Sequence, residues 1–77
     1  MIVKPLNAEA GISANTTVDN ATVVRLYCSA TGVVTNETTG GSFTMPTGSI
    51  TFMQKESTDE ISATGTIVGT KVAYTIS

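Results

Sequence analysis

A chain of 77 residues with no histidine, no tryptophan and a single cysteine has room for one hydrophobic core and carries little catalytic equipment. Four basic against six acidic side chains give a net charge of −2, and Lys4, Arg25, Lys55 and Lys71 are scattered, so the basic stripe of a nucleic-acid binder is missing. Histidine-dependent catalytic triads and an internal disulfide at Cys28 are excluded outright.

Fifteen threonines, eight valines and six isoleucines make 29 of the 77 residues β-branched. Such side chains are stiff at χ1 and suit a pleated surface better than a helix. Only 13% of residues are charged, against about a quarter in typical domains, so threonine has to cover much of the outside. A surface of that kind repels neighbours poorly. Size scaling gives a chain of this mass a folded surface of about 4,400 Å². Burial on that scale barely offsets the ordering cost, so a disulfide, a metal or a neighbouring subunit is the usual supplement. With no second cysteine and no histidine, partner subunits are what remains.

The chain opens Met1-Ile-Val-Lys-Pro-Leu-Asn7. This extended, proline-containing backbone predicts a strand, either the first of the chain's own sheet or one that adds to a neighbour. No long apolar run follows Lys4 and no segment approaches the roughly 20 apolar residues of a membrane span, so the expectation is a protein made in a cytoplasm, with no membrane partner. Ala8, Glu9 and Ala10 offer the one helical turn, within Leu6 to Ser13, and Gly11 stops it. After a turn at Asp19-Asn20, Val24, Leu26 and Cys28 alternate with Val23, Arg25 and Tyr27 on two faces of a strand. Cys28 reads as a buried thiol. Tyrosine and arginine are enriched in binding hot spots. The candidate interface is therefore Met1, Ile2, Val3, Lys4, Pro5 and Leu6 together with Val23, Arg25 and Tyr27. The competing reading is that a sandwich buries both faces of the second strand.

Further along, Thr31-Gly32 and Gly40-Gly41 mark turns, the latter hairpin-like and followed by no helix that would hold a phosphate. Phe43 and Met45 share an inward face before Pro46-Thr-Gly48. In Ser49 to Glu56, Ile50 and Phe52 share one face, and Ser49, Thr51, Met53 and Lys55 the other. Glu56, Asp59 and Glu60 cluster at the turn Ser57-Thr-Asp59 without the donor spacing of a calcium loop, and read as a solvated turn. Ile61, Ala63, Gly65 and Ile67 form the next alternating segment, where Gly65 in mid-strand signals a bulge or a close backbone approach. After a turn signal at Gly69-Thr70, Val72, Tyr74 and Ile76 alternate inward against Lys71, Ala73 and Thr75.

Connections this short exclude parallel crossovers. The turn spacing predicts one all-β domain over residues 1–77, a small antiparallel β-sandwich or barrel of about 6–8 short strands with little or no helix. Catalysis finds no footing. Glu37 with Glu56 or Asp59 is a conceivable carboxylate pair for glycoside hydrolysis, but a small domain without tryptophan offers little pocket for a sugar, and no serine–lysine motif is present. The expectation is a non-enzyme with no cofactor and no metal. Sequons at Asn15, Asn20 and Asn36 are what a threonine-rich chain produces by chance.

The opening Met1-Ile-Val-Lys-Pro-Leu-Asn7, the segment Gly48-Ser-Ile-Thr-Phe-Met-Gln-Lys-Glu-Ser-Thr-Asp59 and the ending Lys71-Val-Ala-Tyr-Thr-Ile76 resemble, in the same order, small virion proteins of tailed bacteriophages, particularly those of marine cyanobacteria. The resemblance implies a structural role on the particle. What it implies is a protein that decorates or cements the capsid, bound to the major capsid protein or other virion proteins as a homo-oligomer or in many copies, or one that sits at the neck or tail. It implies residence in the virion after synthesis in the bacterial cytoplasm, and supplies no functional residues to carry over. A small adhesin or carbohydrate-binding module is the alternative of a different class, and four aromatics with no tryptophan argue against it.

Overall fold

Alternation in the sequence becomes eight strands in a computed structural model that describes residues 2–75. They are β1 (Ile2–Pro5), β2 (Ala10–Gly11), β3 (Val23–Ala30), β4 (Gly32–Asn36), β5 (Ser42–Met45), β6 (Ile50–Gln54), β7 (Ile61–Ala63) and β8 (Thr66–Thr75). Every pairing is antiparallel. A five-stranded sheet runs β1-β8-β3-β6 with β2 also on β8, and a three-stranded sheet runs β5-β4-β7. Among the described residues there is no helix, as the composition predicts. The accessible surface of 4378 Å² matches the expectation from size.

The opening segment is a strand of the chain's own sheet, with Ile2 opposite Thr75 and Pro5 opposite Val72. Instead of a helical turn after it, the chain bulges. Leu6 N–H donates to Lys71 O (2.9 Å) and Ala10 stands opposite Gly69, so residues 7–9 face Thr70 alone. Asn7 Oδ1 accepts the Lys71 N–H at 3.0 Å, which satisfies the donor that the bulge leaves over.

The core lies between the sheets. Val24, Leu26 and Cys28 of β3 and Ile67 of β8 meet Val34 of β4, Met45 of β5 and Ile61 of β7, with Ile12 and Ala21 closing one side. The Cys28 thiol is fully buried and donates to the carbonyls of Ala30 and Met45. Gly69, a turn signal in the sequence, sits inside β8, where a Cβ would fall 2.4 Å from Ile12 Cδ1; the missing side chain makes room for Ile12.

Both sheets are joined at one corner. The passage from β3 to β4 crosses the passage from β7 to β8, and at Gly32 a Cβ would meet Thr64 O at 2.0 Å. Gly65 has φ +76 and its Cβ would lie 2.7 Å from Thr31 O. The close approach expected at Gly65 is therefore present, but the residue turns a corner between β7 and β8 instead of lying in mid-strand.

Two further expectations are corrected. Asp59 is not in a solvated turn: it is 6% exposed and accepts hydrogen bonds from Asn36 Nδ2 (3.1 Å) and Glu56 N–H (3.2 Å), clasping the end of β4 to the β6–β7 connection. Lys55 is likewise 6% exposed, with Nζ donating to Glu56 O at 3.2 Å. Desolvation pulls the Lys55 ammonium below its ordinary pKa, and the nearby Asp59 carboxylate offsets part of that. Second, the inward parity expected of Val72 is reversed. Lys71 stands opposite Val24 on the core side and reaches past the sandwich edge to Asp19 O (3.1 Å), while Val72 is buried on the other face. The side chain of Tyr74 and all of Ile76 lie outside the described residues.

Candidate functional site

In an antiparallel ladder, residues directly opposite each other share a face. Leu26 opposite Gly69 and Thr51 therefore defines the core side of the large sheet, and the intervening residues define its outer side. That outer face gathers Val3 and Pro5 from β1, Val23, Arg25 and Tyr27 from β3, Ile50 and Phe52 from β6, and Val68, Thr70 and Val72 from β8. Among the described residues no third layer covers it. Ile50 is 53% exposed, Phe52 and Tyr27 each 36%.

One polar feature interrupts this surface. Arg25 Nη1 lies 3.0 Å from Glu9 Oε2, with the side chains 34% and 44% exposed, so the pair contributes at most about 1 kcal/mol. Glu9 gets there because the bulge of residues 7–9 lifts it over Thr70 toward β3, which also buries Thr70. Val3, Pro5, Arg25, Thr70 and Val72 line a shallow concavity of about 410 Å³. On the other side of Val72, Leu6, Val23 and Lys71 help line a second of about 680 Å³.

Of the sequence-predicted interface residues, Val3, Pro5, Val23, Arg25 and Tyr27 come together on this face, whereas Leu6, 45% exposed, follows the end of β1 opposite Lys71, on the other parity. Lys4 alternates to the opposite side of β1. Ile2 contributes its backbone pairing with Thr75, and Met1 lies outside the described residues. Sequence reasoning missed Ile50, Phe52 and Val68. Alternation grouped Ile50 with Phe52 correctly and left open which face of the strand is outward. Pairing β6 with β3 in register is the signal that decides it, because it sets Phe52 against Arg25 and Ile50 against Tyr27.

The outer face of the large sheet presents apolar area interrupted by one ion pair. Among the described residues no group of three or more Cys, Asp or Glu side chains is placed to hold a metal, and no helix is long and apolar enough to cross a membrane. Both concavities are open and lined by aliphatic, threonine, asparagine and ion-paired side chains. Comparison of the chain with protein-family models, with curated proteins and with solved structures returns no match.

Proposed function

We propose that this chain is a structural component of a tailed-bacteriophage virion, a decoration protein that binds the capsid surface in many copies and stabilises the shell. The observation that carries the reading is the uncovered apolar face of the large sheet, where Tyr27, Ile50 and Phe52 stand in solvent beside Val23 and Val68. Isolated exposed apolar residues are ordinary on a protein surface, whereas a contiguous patch marks a place where another surface packs. Tyrosine and arginine, both present on it as Tyr27 and Arg25, are residue types enriched in binding hot spots. The resemblance of three chain segments to small virion proteins supports the partner class in this reading: the major capsid protein or another protein of the particle. A cement of this type acts through avidity, since one weak contact repeated over a shell sums to a large stabilisation without any single tight site.

The test is cryo-electron microscopy of shells of the encoding phage incubated with the purified chain. Density at capsomer junctions with the β3–β6 face toward the shell is the expected result. Density confined to the unique vertex moves the protein to the neck or tail, and shells that bind none of it overturn the virion reading.

A further inference from the structure

A sheet edge presents free backbone N–H and C=O groups and has to be shielded or paired, and the four edges of this sandwich are treated unequally. The outer edge of β7 is taken by the chain after β2: Thr16 N–H donates to Ile61 O (2.9 Å) and Ile61 N–H to Thr16 O (2.8 Å). The β1 edge carries Lys4 and Pro5, a charge and a residue with no N–H to offer. The β5 strand is only 4 residues long and ends at Pro46. Among the described residues none of these devices protects β6.

Two flanking hydrogen bonds fix which groups of β6 are free. Cys28 N–H donates to Ser49 O (3.1 Å) and Lys55 N–H donates to Thr22 O (2.9 Å). Residues 49, 51, 53 and 55 are thus the ones bonded to β3, and the N–H and C=O of Ile50, Phe52 and Gln54 point to the open edge. The sequence Ile50-Thr-Phe-Met-Gln54 holds no charge and no proline, and the nearest cation, Lys55, is turned inward and buried.

We propose that β6 is a self-pairing edge: two copies of the chain join their large sheets by antiparallel pairing of β6 with β6 about a two-fold axis at Phe52. In that register Phe52 faces its own counterpart and Ile50 faces Gln54, and each facing pair exchanges both of its N–H···O bonds. A second copy is the occupant that the sequence fits. A two-fold axis sets every group near it against itself, so a charge there repels its own image. Here the strand is neutral, and Lys55 and Glu56 come opposite Ser49 and Gly48. The exposed side chains of Phe52 and Ile50 then meet across the seam, and the apolar outer faces of two copies become continuous. The proposal stands on the edge itself and does not depend on the virion reading.

A seam of one short strand is small beside a standard interface, so the dimer is expected to be weak, with Kd on the order of 10 µM to 1 mM. Sedimentation equilibrium of the whole chain across that range is expected to show monomer and dimer. Phe52→Pro removes an edge-facing N–H without touching a bond to β3, and is expected to weaken the dimer at least about tenfold with an unchanged circular dichroism spectrum. Should that variant fail to fold, Phe52→Lys sets two cations on the axis and is read in the same way. Register is tested by Phe52→Cys, whose Cα atoms would lie about 5.5 Å apart, within disulfide reach; it is expected to oxidise to a disulfide dimer faster than Thr44→Cys on the β5 edge. A chain that stays monomeric throughout with no preference for the Phe52→Cys crosslink overturns the proposal. So does a dimer that both Phe52→Pro and Phe52→Lys leave intact.

Discussion

The two outer faces of the sandwich are covered by different chemistry. The small sheet shows Thr35, Ser42, Thr44 and Ser62 around Val33, a hydroxyl surface with one apolar residue in it. The large sheet shows Tyr27, Ile50, Phe52, Val23 and Val68 around one ion pair. An antiparallel sheet with one face in water ordinarily alternates apolar-in and polar-out. The small sheet obeys this, whereas β3 and β6 carry apolar side chains on both faces, the pattern of a strand with a layer on each side. Hydroxyl side chains therefore cover the outer face of the small sheet, and apolar ones the outer face of the large sheet. The difference also says where binding energy is available: apolar area removed from water contributes roughly 25 cal/mol per Å², and little of it is on offer at the small sheet.

The comparison presumes that both faces belong to one cooperative unit, and the corner at Gly32 is where that unit breaks. Gly32→Ala places a methyl group 2.0 Å from the backbone oxygen of Thr64, an obstacle that cannot rotate away. Urea denaturation followed by circular dichroism is expected to show a loss of about 3 kcal/mol or more, or no folded protein at all. Gly11→Ala is the control, since nothing lies within 4 Å of its Cβ, and it should change stability by no more than about 0.5 kcal/mol. Equal losses in the two variants would show that the sheets do not meet in this way.

The next largest effect separates the faces. Behind its hydroxyl surface the small sheet relies on a polar clasp, in which Asp59 accepts from Asn36 Nδ2 and from Glu56 N–H. Asp59→Ala leaves both donors unpaired and is expected to cost about 1–3 kcal/mol by the same denaturation measurement. Because the clasp holds the end of β4, hydrogen exchange should accelerate first in β4 and β7 and leave β3 and β8 protected. Uniform acceleration would mean that the clasp supports the whole sandwich instead.

How much of this difference could be read from the chain depends on what sets each strand's facing. In β3 the core side was legible, because Val24, Leu26 and Cys28 are set against a charged residue and a tyrosine. In β6 it was not. Ile50 and Phe52 are the more apolar set, yet they face out, since Thr51 and Met53 pack beneath Leu26 and Val24 by register and Lys55 is buried at the strand end. The facing of an edge strand is dictated by its partner's alternation, which a local window does not contain. Similar reasoning explains the glycines. Gly65 and Gly69 both stood out as punctuation, but one turns a corner against Thr31 O while the other clears space for Ile12 inside a strand, and only the tertiary fold tells these apart. The candidate interface was half visible for the same reason: its β1 and β3 residues were found, and its β6 and β8 residues needed the pairing.

A smaller change tests the contrast between the faces directly. Ile50→Thr with Phe52→Thr gives the large sheet the covering of the small one. Both side chains are only partly buried, and threonine is a good strand former, so the double variant is expected to lose about 1–2 kcal/mol while remaining folded. Retention on a hydrophobic column and dye binding should fall clearly. Val33→Thr on the small sheet should alter neither by comparison, and if it lowers retention equally, the asymmetry of the two faces is not what governs contact.

The smallest expected effect lies at Lys55, where the large sheet's edge strand carries its charge inward beside the small sheet's clasp. Burial holds the folded-state pKa of Lys55 below the ordinary value of 10.5, so between the two values the unfolded chain binds more protons than the folded one. Stability contributed by this group consequently rises as pH climbs through that window, and at neutral pH the buried ammonium is a net cost. The rise is muted because the Asp59 carboxylate favours the charged form. Other titrating groups change over the same range, so the quantity to measure is the difference in unfolding free energy between the native chain and Lys55→Met from pH 8 to 10.5. That difference is expected to move in favour of the native chain as pH rises, and to move less in an Asp59→Asn background only if desolvation is not the dominant cause. A larger swing without the carboxylate follows from the burial of Lys55, and a flat difference would place its amine in water, on the same footing as the exposed residues of the face above it.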